Sequence, residues 1–333
     1  MNVVDLGTSF SLDVTNGETT VNVIDGEIEL HDLPSGTESL SKGDMVIVHD
    51  NGALNRLNQK TTDLNSILDV SQQALDNLAI VERLRQKERW NEFRKVLNAD
   101  PSLLIHFDFN EDHLKYRKIA NTSIHGKQIV PNGVMVNCQL ANGRWQEKGA
   151  VEFRRIADRF RFDVPGEFTE LTMATWIRVD GLDRMYNAIF TTDGFSPGEI
   201  HWHLIWEGEM ELGVYFDEHQ ERQQIRSKPV ITPDKIGEWV HLAVTLDTNK
   251  GEAVFYMDGQ EVHRENVNMQ IPIRFKNAQL GNWTIEPTWD PVHPIRHFSG
   301  AMEDFLFYSR ALKADEIKAL SEGQIQELIV TSH

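Results

Sequence analysis

Two histidines in alternation with apolar residues mark the part of the sequence best suited to chemistry. His201 and His203 alternate with large apolar residues, and the next segment places Glu211 and Tyr215 in the same alternating pattern. Successive side chains of a strand point to opposite faces, so apolar residues in the core leave these four side chains pointing outward. Aromatic rings beside hydrogen-bonding groups suit sugars, which have apolar faces and hydroxyl edges. The pattern predicts a carbohydrate-binding sheet face.

The alternation also assigns core positions in three strands. The predicted inward residues are Trp202, Leu204 and Trp206, then Leu212, Val214 and Phe216, and in an earlier strand Leu171, Met173, Ile177 and Val179. If the three strands share one sheet, its open face carries Trp176, Arg178, His201, His203, Glu211 and Tyr215. The alternative is that a loop or the upstream helical segment covers this face.

A stiff aromatic loop at residues 282–297 extends the candidate site. It contains Trp283, Trp289, Arg296 and three prolines. Loops held by a rigid sandwich often carry recognition, so these three residues join the predicted glycan-binding set. The alternative is that the loop folds its tryptophans back onto the sandwich and seals an edge.

Two other chemistries remain open on these residues. His201 and His203 are spaced like metal ligands, with a third ligand to come from His241, His293 or His297. Glycoside hydrolysis needs two carboxylates, and Glu209 with Glu211 would share a strand face at roughly 6.5–7 Å. Glu303 and Asp304 are adjacent, so regular strand geometry predicts that they point to opposite faces.

Composition excludes several function classes. The 333 residues include 33 Lys and Arg against 51 Asp and Glu, a formal charge of -18. Such an acidic chain is unsuited to non-specific nucleic-acid binding. A phosphate-binding loop, a dinucleotide fingerprint, GxSxG and HExxH are all absent from the sequence. Cys138 is the only cysteine, which excludes an internal disulfide and a Cys-rich zinc site.

Three regions follow one another along the chain. Residues 1–57 read as short strands, with Val21 and Val23 expected to pair with Ile28 and Leu30 across an Asp-Gly turn. Residues 58–100 read as a helical linker, residues 101–325 as a β-sandwich, and residues 326–333 as a tail.

Three stretches of the third region read as a hairpin and a closing strand: residues 239–246 (WVHLAVTL), 255–259 (FYMDG) and 298–312 (FSGAMEDFLFYSRAL). In these stretches the region resembles the laminin G-type, concanavalin A-like lectin/glucanase family. It implies a β-sandwich of the jelly-roll type. Relatives of this fold often bind calcium at the rim, so the resemblance also makes calcium the one cofactor to test, with Asp193, Asn282, Asp290 and Asp304 as candidate ligands.

Three stretches of the first region form a second recognisable pattern: residues 4–10 (VDLGTSF), 21–28 (VNVIDGEI) and 40–45 (LSKGDM). In these stretches the region resembles the C-terminal half of a FecR domain. FecR proteins are membrane-anchored regulators of sigma factors, and their FecR domain lies outside the cytoplasmic membrane. The resemblance implies a periplasmic or extracytoplasmic protein, anchored through an N-terminal segment that this sequence lacks, and hence a fragment or a gene start placed too late.

The sequence therefore predicts a mainly β protein: a small FecR-like β unit, a helical linker and a concanavalin A-like β-sandwich. The expected function is a non-catalytic extracytoplasmic sensor whose sandwich binds a carbohydrate or cell-surface polymer. A glycoside hydrolase on the same fold and a module that contacts another extracytoplasmic protein are the alternatives. No nucleic-acid partner is expected.

Overall fold

The computed structural model describes residues 2–5, 9–15, 17–57, 64–145, 147–194, 196–215, 222–268, 271–283 and 291–324; within the helix at 64–99 it describes side chains from residue 80 onward, except residue 82. Phe216, Trp289, Asp290 and the tail at 326–333 lie outside these ranges. The chain divides into two compact units, Met1–Arg85 and Gln86–His333.

The first unit is built from seven short strands. They are β1 (Asn2–Asp5), β2 (Ser9–Thr15), β3 (Glu18–Asp25), β4 (Glu27–Leu33), β5 (Gly36–Ser41), β6 (Met45–His49) and β7 (Leu54–Arg56). A three-stranded sheet has the order β1-β4-β5, and a four-stranded sheet has the order β2-β3-β6-β7. Val21 and Val23 of one sheet and Ile28 and Leu30 of the other belong to the same buried apolar cluster.

The predicted β3–β4 hairpin is wrong. β3 pairs with β2 and β6, whereas β4 pairs with β1 and β5, so the chain crosses between sheets at Gly26. The backbone around this crossing bonds instead to the β5–β6 connection: Lys42 N donates to Gly26 O, and Gly43 N donates to Val23 O. Apolar alternation identified the strands but could not say which neighbour each strand would take.

A single long helix, α1 (Leu64–Ala99), connects the strands of the first unit to those of the second. Its last turns, which belong to the second unit, bury Phe93 and Leu97 in a cluster that includes Leu103, Leu306 and Tyr308. The helix ends before Asp100-Pro101, as expected from the restriction that proline places on the preceding residue.

The second unit is a two-sheet sandwich. Its strands are β8 (Leu103–Phe107), β9 (Leu114–Lys115), β10 (Lys118–Ala120), β11 (Asn132–Val136), β12 (Gln139–Asn142), β13 (Gly149–Phe153), β14 (Arg159–Val164), β15 (Glu170–Gly181), β16 (Tyr186–Thr192), β17 (Ile200–Ile205), β18 (Glu209–Tyr215), β19 (Arg222–Pro229), β20 (Trp239–Asp247), β21 (Glu252–Met257), β22 (Gln260–Asn266), β23 (Lys276–Leu280) and β24 (Ser299–Tyr308). Three short 3-10 helices, Glu111–His113, Gly126–Gln128 and Pro233–Lys235, and the helix α2 (Ala314–Glu322) complete it.

One sheet has nine strands in the order β19-β18-β17-β16-β23-β14-β11-β10-β9. The other has eight: the path β12-β13-β24-β15-β20-β21-β22, with β8 also paired to β24. Their inner faces share one apolar core, in which Phe162 and Phe190 of the first sheet contact Phe305 of the second. The mainly β, concanavalin A-like fold predicted from the sequence is confirmed.

Candidate functional site

A cavity of about 520 Å³ opens on the outer face of the nine-stranded sheet. Strands β16 to β19 supply most of its floor, and the segment after Pro291 supplies one wall. The lining residues are Tyr186, His201, His203, Glu211, Gly213, Tyr215, Arg222, Gln224, Trp283, Val292, His293 and Arg296. Six of the predicted glycan-binding residues, namely His201, His203, Glu211, Tyr215, Trp283 and Arg296, are therefore brought together.

Strand alternation explains why these side chains meet. Trp202 and Leu204 of β17 are fully buried in the sandwich core, which turns His201 and His203 outward, as predicted. On β18, Gly213 lies between Glu211 and Tyr215 on the outward face and pairs directly with His201. Because Gly213 has no side chain, it leaves space over the floor of the cavity.

His203 carries two buried nitrogens without a partner on the cavity floor. Its side chain is 2% exposed, and neither ring nitrogen has a hydrogen-bond partner among the described residues. The buried Nε1 of Trp283 at the same cavity also lacks one. Burial, with the nearby positive charge of Arg296 and the neighbouring His201, lowers the pKa of His203 well below its usual value. A buried polar group without a partner costs free energy, so a neutral imidazole in this position points to a ligand that supplies the missing hydrogen bond.

His201 is already held by the protein. Its Nε2 donates to the carbonyl oxygen of Gly194 at 2.9 Å and lies 3.1 Å from Oγ1 of Thr192. Burial and the charge of Arg296 lower the pKa of His201 to about 3, so the ring is neutral at physiological pH.

Glu211 is a buried carboxylate with one engaged oxygen. Its Oε2 accepts a hydrogen bond from Nε of Arg226 at 2.6 Å, and its Oε1 lies 3.9 Å from Nδ1 of His203. Burial raises the pKa of Glu211, although the positive charge of Arg226 opposes this shift.

Two aromatic rings fix Arg296. The guanidinium carbon lies 4.3 Å from the ring centre of Tyr186 and 4.2 Å from that of Trp283. Trp283 is itself anchored, because Asn282 accepts from its backbone N–H at 2.8 Å and donates to Ile156 O at 2.6 Å. The cavity is thus preorganised by backbone contacts outside it.

The structure corrects the predicted single face. Trp176 and Arg178 lie on β15, in the eight-stranded sheet, so they do not share a face with the histidines. The guanidinium of Arg144 covers Trp176 at 3.7 Å from the ring centre, and Arg178 bonds to Asp180 and Glu152. Both side chains remain partly exposed. Trp206 was also misplaced: β17 ends at Ile205, and the tryptophan in the following turn is 60% exposed.

The candidate metal ligands do not assemble in the described part of the chain. Asp193 is ion-paired with Arg161, the side chain of Asn282 bonds to backbone groups, and Asp304 lies in the other sheet. Across the described ranges no group of three or more His, Cys, Asp or Glu side chains is placed to hold a metal. His201 and His203 therefore have no third ligand among the described residues. Asp290 lies outside the described residues, so calcium stays a prediction.

Glu303 and Asp304 contradict the expectation of opposite faces. Asp304 has φ +54°, and the pairing of β15 with β24 shifts register there, which marks a β-bulge. Both side chains therefore lie on the outer face: Glu303 accepts from Arg144 Nε at 2.9 Å, and Asp304 accepts from Lys148 Nζ at 2.9 Å and lies 3.0 Å from His106 Nε2.

Burial raises the pKa of Glu303. Burial also acts to raise the pKa of Asp304, but the charge of Lys148 and the hydrogen bond from His106 outweigh it, so that pKa is lowered. A side chain at Gly143 would collide with Glu303, so the loop lies directly against this carboxylate. Both carboxylates are covered and paired with protein cations, which fits a structural role.

Another cavity, of about 420 Å³, lies beside α1 around Trp90 and Trp145. Lys148 pairs there with Asp304, and Asn110 Oδ1 accepts from Gly149 N at 2.9 Å, whereas the buried Nε1 of Trp90 has no partner among the described residues. We take the cavity around His203 as the functional site, because there both nitrogens of a buried imidazole lack a partner.

The sequence analysis missed Tyr186, Gly213, Arg222, Gln224 and Val292 as lining residues, and placed His293 only among candidate metal ligands. Gly213 could have been found, because the strand alternation places it on the outward face, midway between Glu211 and Tyr215. The other residues could not, because their proximity depends on the order of strands in the sheet.

Comparison with known families agrees with this architecture. Residues 157–318 match the family model Laminin_G_3, described as the concanavalin A-like lectin/glucanases superfamily. This part of the chain is similar to that superfamily, and its two-sheet sandwich agrees with the similarity. A fold that includes both lectins and glucanases does not decide between binding and catalysis. No curated protein matches the chain.

Solved structures with similar folds include several that are described as binding domains. The botulinum neurotoxin serotype D binding domain matches with a TM-score of 0.51 and 14% identity over 68% of this chain and 53% of its own. The binding domain of Paraclostridial Mosquitocidal Protein 1 matches with a TM-score of 0.51 and 16% identity over 66% and 52%. A further match, with 14% identity and a TM-score of 0.51 over 69% and 53%, is the serotype D ligand-binding domain in complex with N-acetylneuraminic acid.

The chain spans about half the length of these structures, and at such identities the likeness establishes the fold alone. Neither the laminin match nor these structures bear on the FecR resemblance. No helix in the described ranges is long and apolar enough to span a membrane.

Proposed function

We propose that the cavity around His203 binds a carbohydrate without turning it over. The observation that carries the proposal is the buried imidazole of His203, which lies on the cavity floor with both nitrogens lacking a partner. Sugar hydroxyls both donate and accept hydrogen bonds, so they complement a neutral imidazole. The partly exposed ring of Tyr186 lines the cavity and supplies apolar surface for a sugar face.

Binding fits the residues better than hydrolysis does. Glu211 is the single carboxylate among the described lining residues, and Arg226 already engages it. Glycoside hydrolysis uses two carboxylates flanking the scissile bond. Glu209, the proposed partner, is not among the residues that line the cavity, and β18 shifts register between the two glutamates.

A glycan array probed with the full chain tests this proposal. Gly213→Val should remove binding, because the added side chain points into the cavity from a strand position with no positive φ. The matched control is Trp206→Ala, which removes an exposed aromatic residue beside the same strand but outside the cavity. Absence of glycan binding by the folded wild-type chain, or binding that Gly213→Val leaves intact, would contradict the proposal and favour a protein partner.

We further propose that this binding module belongs to a FecR-type regulatory protein and works outside the cytoplasm. The support is the sequence resemblance at residues 4–10, 21–28 and 40–45, together with the separate compact β unit in which these stretches lie. In the native host, a tagged copy should react with membrane-impermeant biotin reagents in intact cells. Labelling only after lysis would overturn this placement.

A further inference from the structure

The hairpin between β9 and β10 has an unusual turn. Lys115 pairs directly with Lys118, which leaves a loop of two residues between them. Both loop residues, Tyr116 and Arg117, have positive φ, of 50° and 67°. Such loops favour Asn-Gly, because larger side chains are strained at positive φ. The two lysines also place like charges opposite each other, which destabilises a strand pair. The residues at this turn therefore lower the stability of the hairpin.

The side chains of the turn face solvent. Tyr116 is 86% exposed, so its ring projects from the surface. Its neighbours in the hairpin are three exposed cations, namely Lys115, Arg117 and Lys118. Nε of Arg117 donates to Met135 O at 3.0 Å, which fixes the turn while the guanidinium keeps its charge. Strained residues that the surrounding structure holds in place cluster at functional sites. The turn thus presents an aromatic ring among cations.

A second exposed loop lies at the same end of the nine-stranded sheet. β11 pairs with both β10 and β14, and Arg159, the first residue of β14, lies at the end where the hairpin turns. The β13–β14 loop at 154–158 is therefore two strand spacings from the hairpin, roughly 10 Å. It presents the exposed Arg155 and Ile156, which is 54% exposed. We call residues 114–118 and 154–158 together the basic tip.

The basic tip carries positive charge on an acidic chain. Arg154 is paired with Glu152, but the other four cations of the two loops form no ion pair with a carboxylate in the described ranges. The nearest acidic residues before the hairpin, Glu111 and Asp112, line the cavity beside α1. The whole chain has a formal charge of -18. Because salt screens charges beyond about 8 to 10 Å, a surface that approaches this end meets mainly the cations.

We propose that the basic tip docks the sandwich onto an anionic lipid surface. Lysine and arginine are attracted to acidic headgroups, and tyrosine is enriched at membrane–water interfaces because its ring is apolar and its hydroxyl polar. An acidic protein would have to offer a pocket shaped for the projecting Tyr116, whereas lipid headgroups adapt to a convex tip. The proposal goes beyond carbohydrate binding, because none of the residues of the tip lines the cavity around His203.

Vesicle co-sedimentation of the full chain tests the proposal. The vesicles contain phosphatidylcholine alone, or equal parts of phosphatidylcholine and phosphatidylglycerol. We expect binding to the anionic vesicles only, and weaker binding as the salt concentration rises. Lys118→Gln should weaken this binding about fivefold, the share of one cation at an anionic surface. The matched control is Lys228→Gln, which changes an exposed lysine on β19 at the opposite edge of the same sheet and should bind like wild type.

A turn variant separates binding from folding. Tyr116→Asn combined with Arg117→Gly gives the loop the residues that positive φ favours, so the melting temperature should rise by about 2 to 4 °C. The same variant removes the ring and one cation, so vesicle binding should fall about tenfold or more. A protein that is more stable and binds less well cannot owe the loss to misfolding. Glycan binding should match wild type, because the cavity is unchanged.

Other results would overturn the proposal in distinguishable ways. Absence of vesicle binding by the wild-type chain would reject it outright, and equal binding to neutral vesicles would reject the anionic surface. Equal binding by wild type, Lys118→Gln and the turn variant would place the membrane contact elsewhere on the chain. Binding of soluble polyglutamate that the turn variant loses, without vesicle binding, would assign the tip to an acidic protein partner.

Discussion

His203 and Glu211 face each other across neighbouring strands, with 3.9 Å between Nδ1 of the imidazole and Oε1 of the carboxylate. The other oxygen of Glu211 is held by Arg226 at 2.6 Å, which orients the carboxylate without completing a hydrogen bond to His203. The imidazole is therefore buried beside an acceptor it does not bond. The cavity above it is the place where a ligand can supply that bond.

Filling the cavity should remove binding and keep the fold. Gly213→Val adds a β-branched side chain, which suits a strand, at a position with no positive φ. We expect about a tenfold or greater loss of glycan affinity by titration, with a melting temperature within a few degrees of wild type. Trp206→Ala should bind like wild type, and equal losses in both variants would show that the effect is not local to the cavity.

Replacing the unpartnered imidazole should increase stability and weaken binding. His203→Phe removes two buried nitrogens without partners while keeping a ring of similar size. Removal of such groups is neutral or stabilising by about 1 to 2 kcal/mol. Chemical denaturation measures the change in the free energy of unfolding, and a loss of stability above about 1 kcal/mol would mean that His203 has a structural partner.

Stability should fall as the pH drops from 6.5 to about 4.5. Burial lowers the pKa of both His201 and His241 to about 3, and that of His203 well below its usual value. Because the folded-state pKa lies below the unfolded one, the unfolded state binds more protons in this range. Each such histidine lowers the free energy of unfolding by about 1.4 kcal/mol for every pH unit below its unfolded-state pKa. His113, whose pKa the Asp108 hydrogen bond raises, loses its contribution only as the pH rises above the unfolded value and changes little in this range. Burial raises the pKa of Glu199, Glu211 and Glu303, so their protonation in the folded state partly opposes the fall.

Tryptophan fluorescence isolates this effect, because all eight tryptophans lie after residue 85 and report only the sandwich unit. His241→Gln should reduce the slope of stability against pH by the share of one histidine, whatever its stability at pH 7. An unchanged slope would show that His241 is charged in the folded protein or reaches solvent.

The buried ion pair on the opposite sheet should matter for stability and not for binding. Lys148→Met leaves Asp304 buried without its cation, which we expect to cost about 3 kcal/mol. Lys87→Met is the matched control, since it breaks the exposed pair with Glu147 and should leave the free energy of unfolding nearly unchanged. Lower glycan affinity in a folded Lys148→Met protein would place the ligand near the eight-stranded sheet and contradict the proposed cavity.

Local alternation predicted much of the site. The period of two along β17 and β18 correctly placed Trp202, Leu204, Leu212 and Val214 in the core. Since a strand has only two faces, that assignment alone turned the polar residues of both strands outward. Adjacent strands joined by a short turn then pair directly, which is why His203 and Glu211 meet as the sequence suggested.

The pairing of strands that are distant along the chain could not be predicted from the sequence. β15 lies between β20 and β24, partners far along the chain, so alternation could orient Trp176 but could not identify its sheet. The sequence analysis did not predict the bulge at Asp304 for a related reason. An aspartate with positive φ has no sequence signature in an otherwise regular strand. The β3–β4 crossing at Gly26 likewise has the turn residues of a hairpin and a different tertiary outcome.

Histidine-selective NMR of the full chain tests the central claim most directly. The 13 histidines include His203 in the cavity and His241 on the opposite sheet, and His203→Phe and His241→Gln assign their ring signals. The experiment uses a glycan that titration has already shown to bind. We expect a large shift of the His203 ring resonances and none at His241. A bound glycan that leaves His203 unchanged would contradict it.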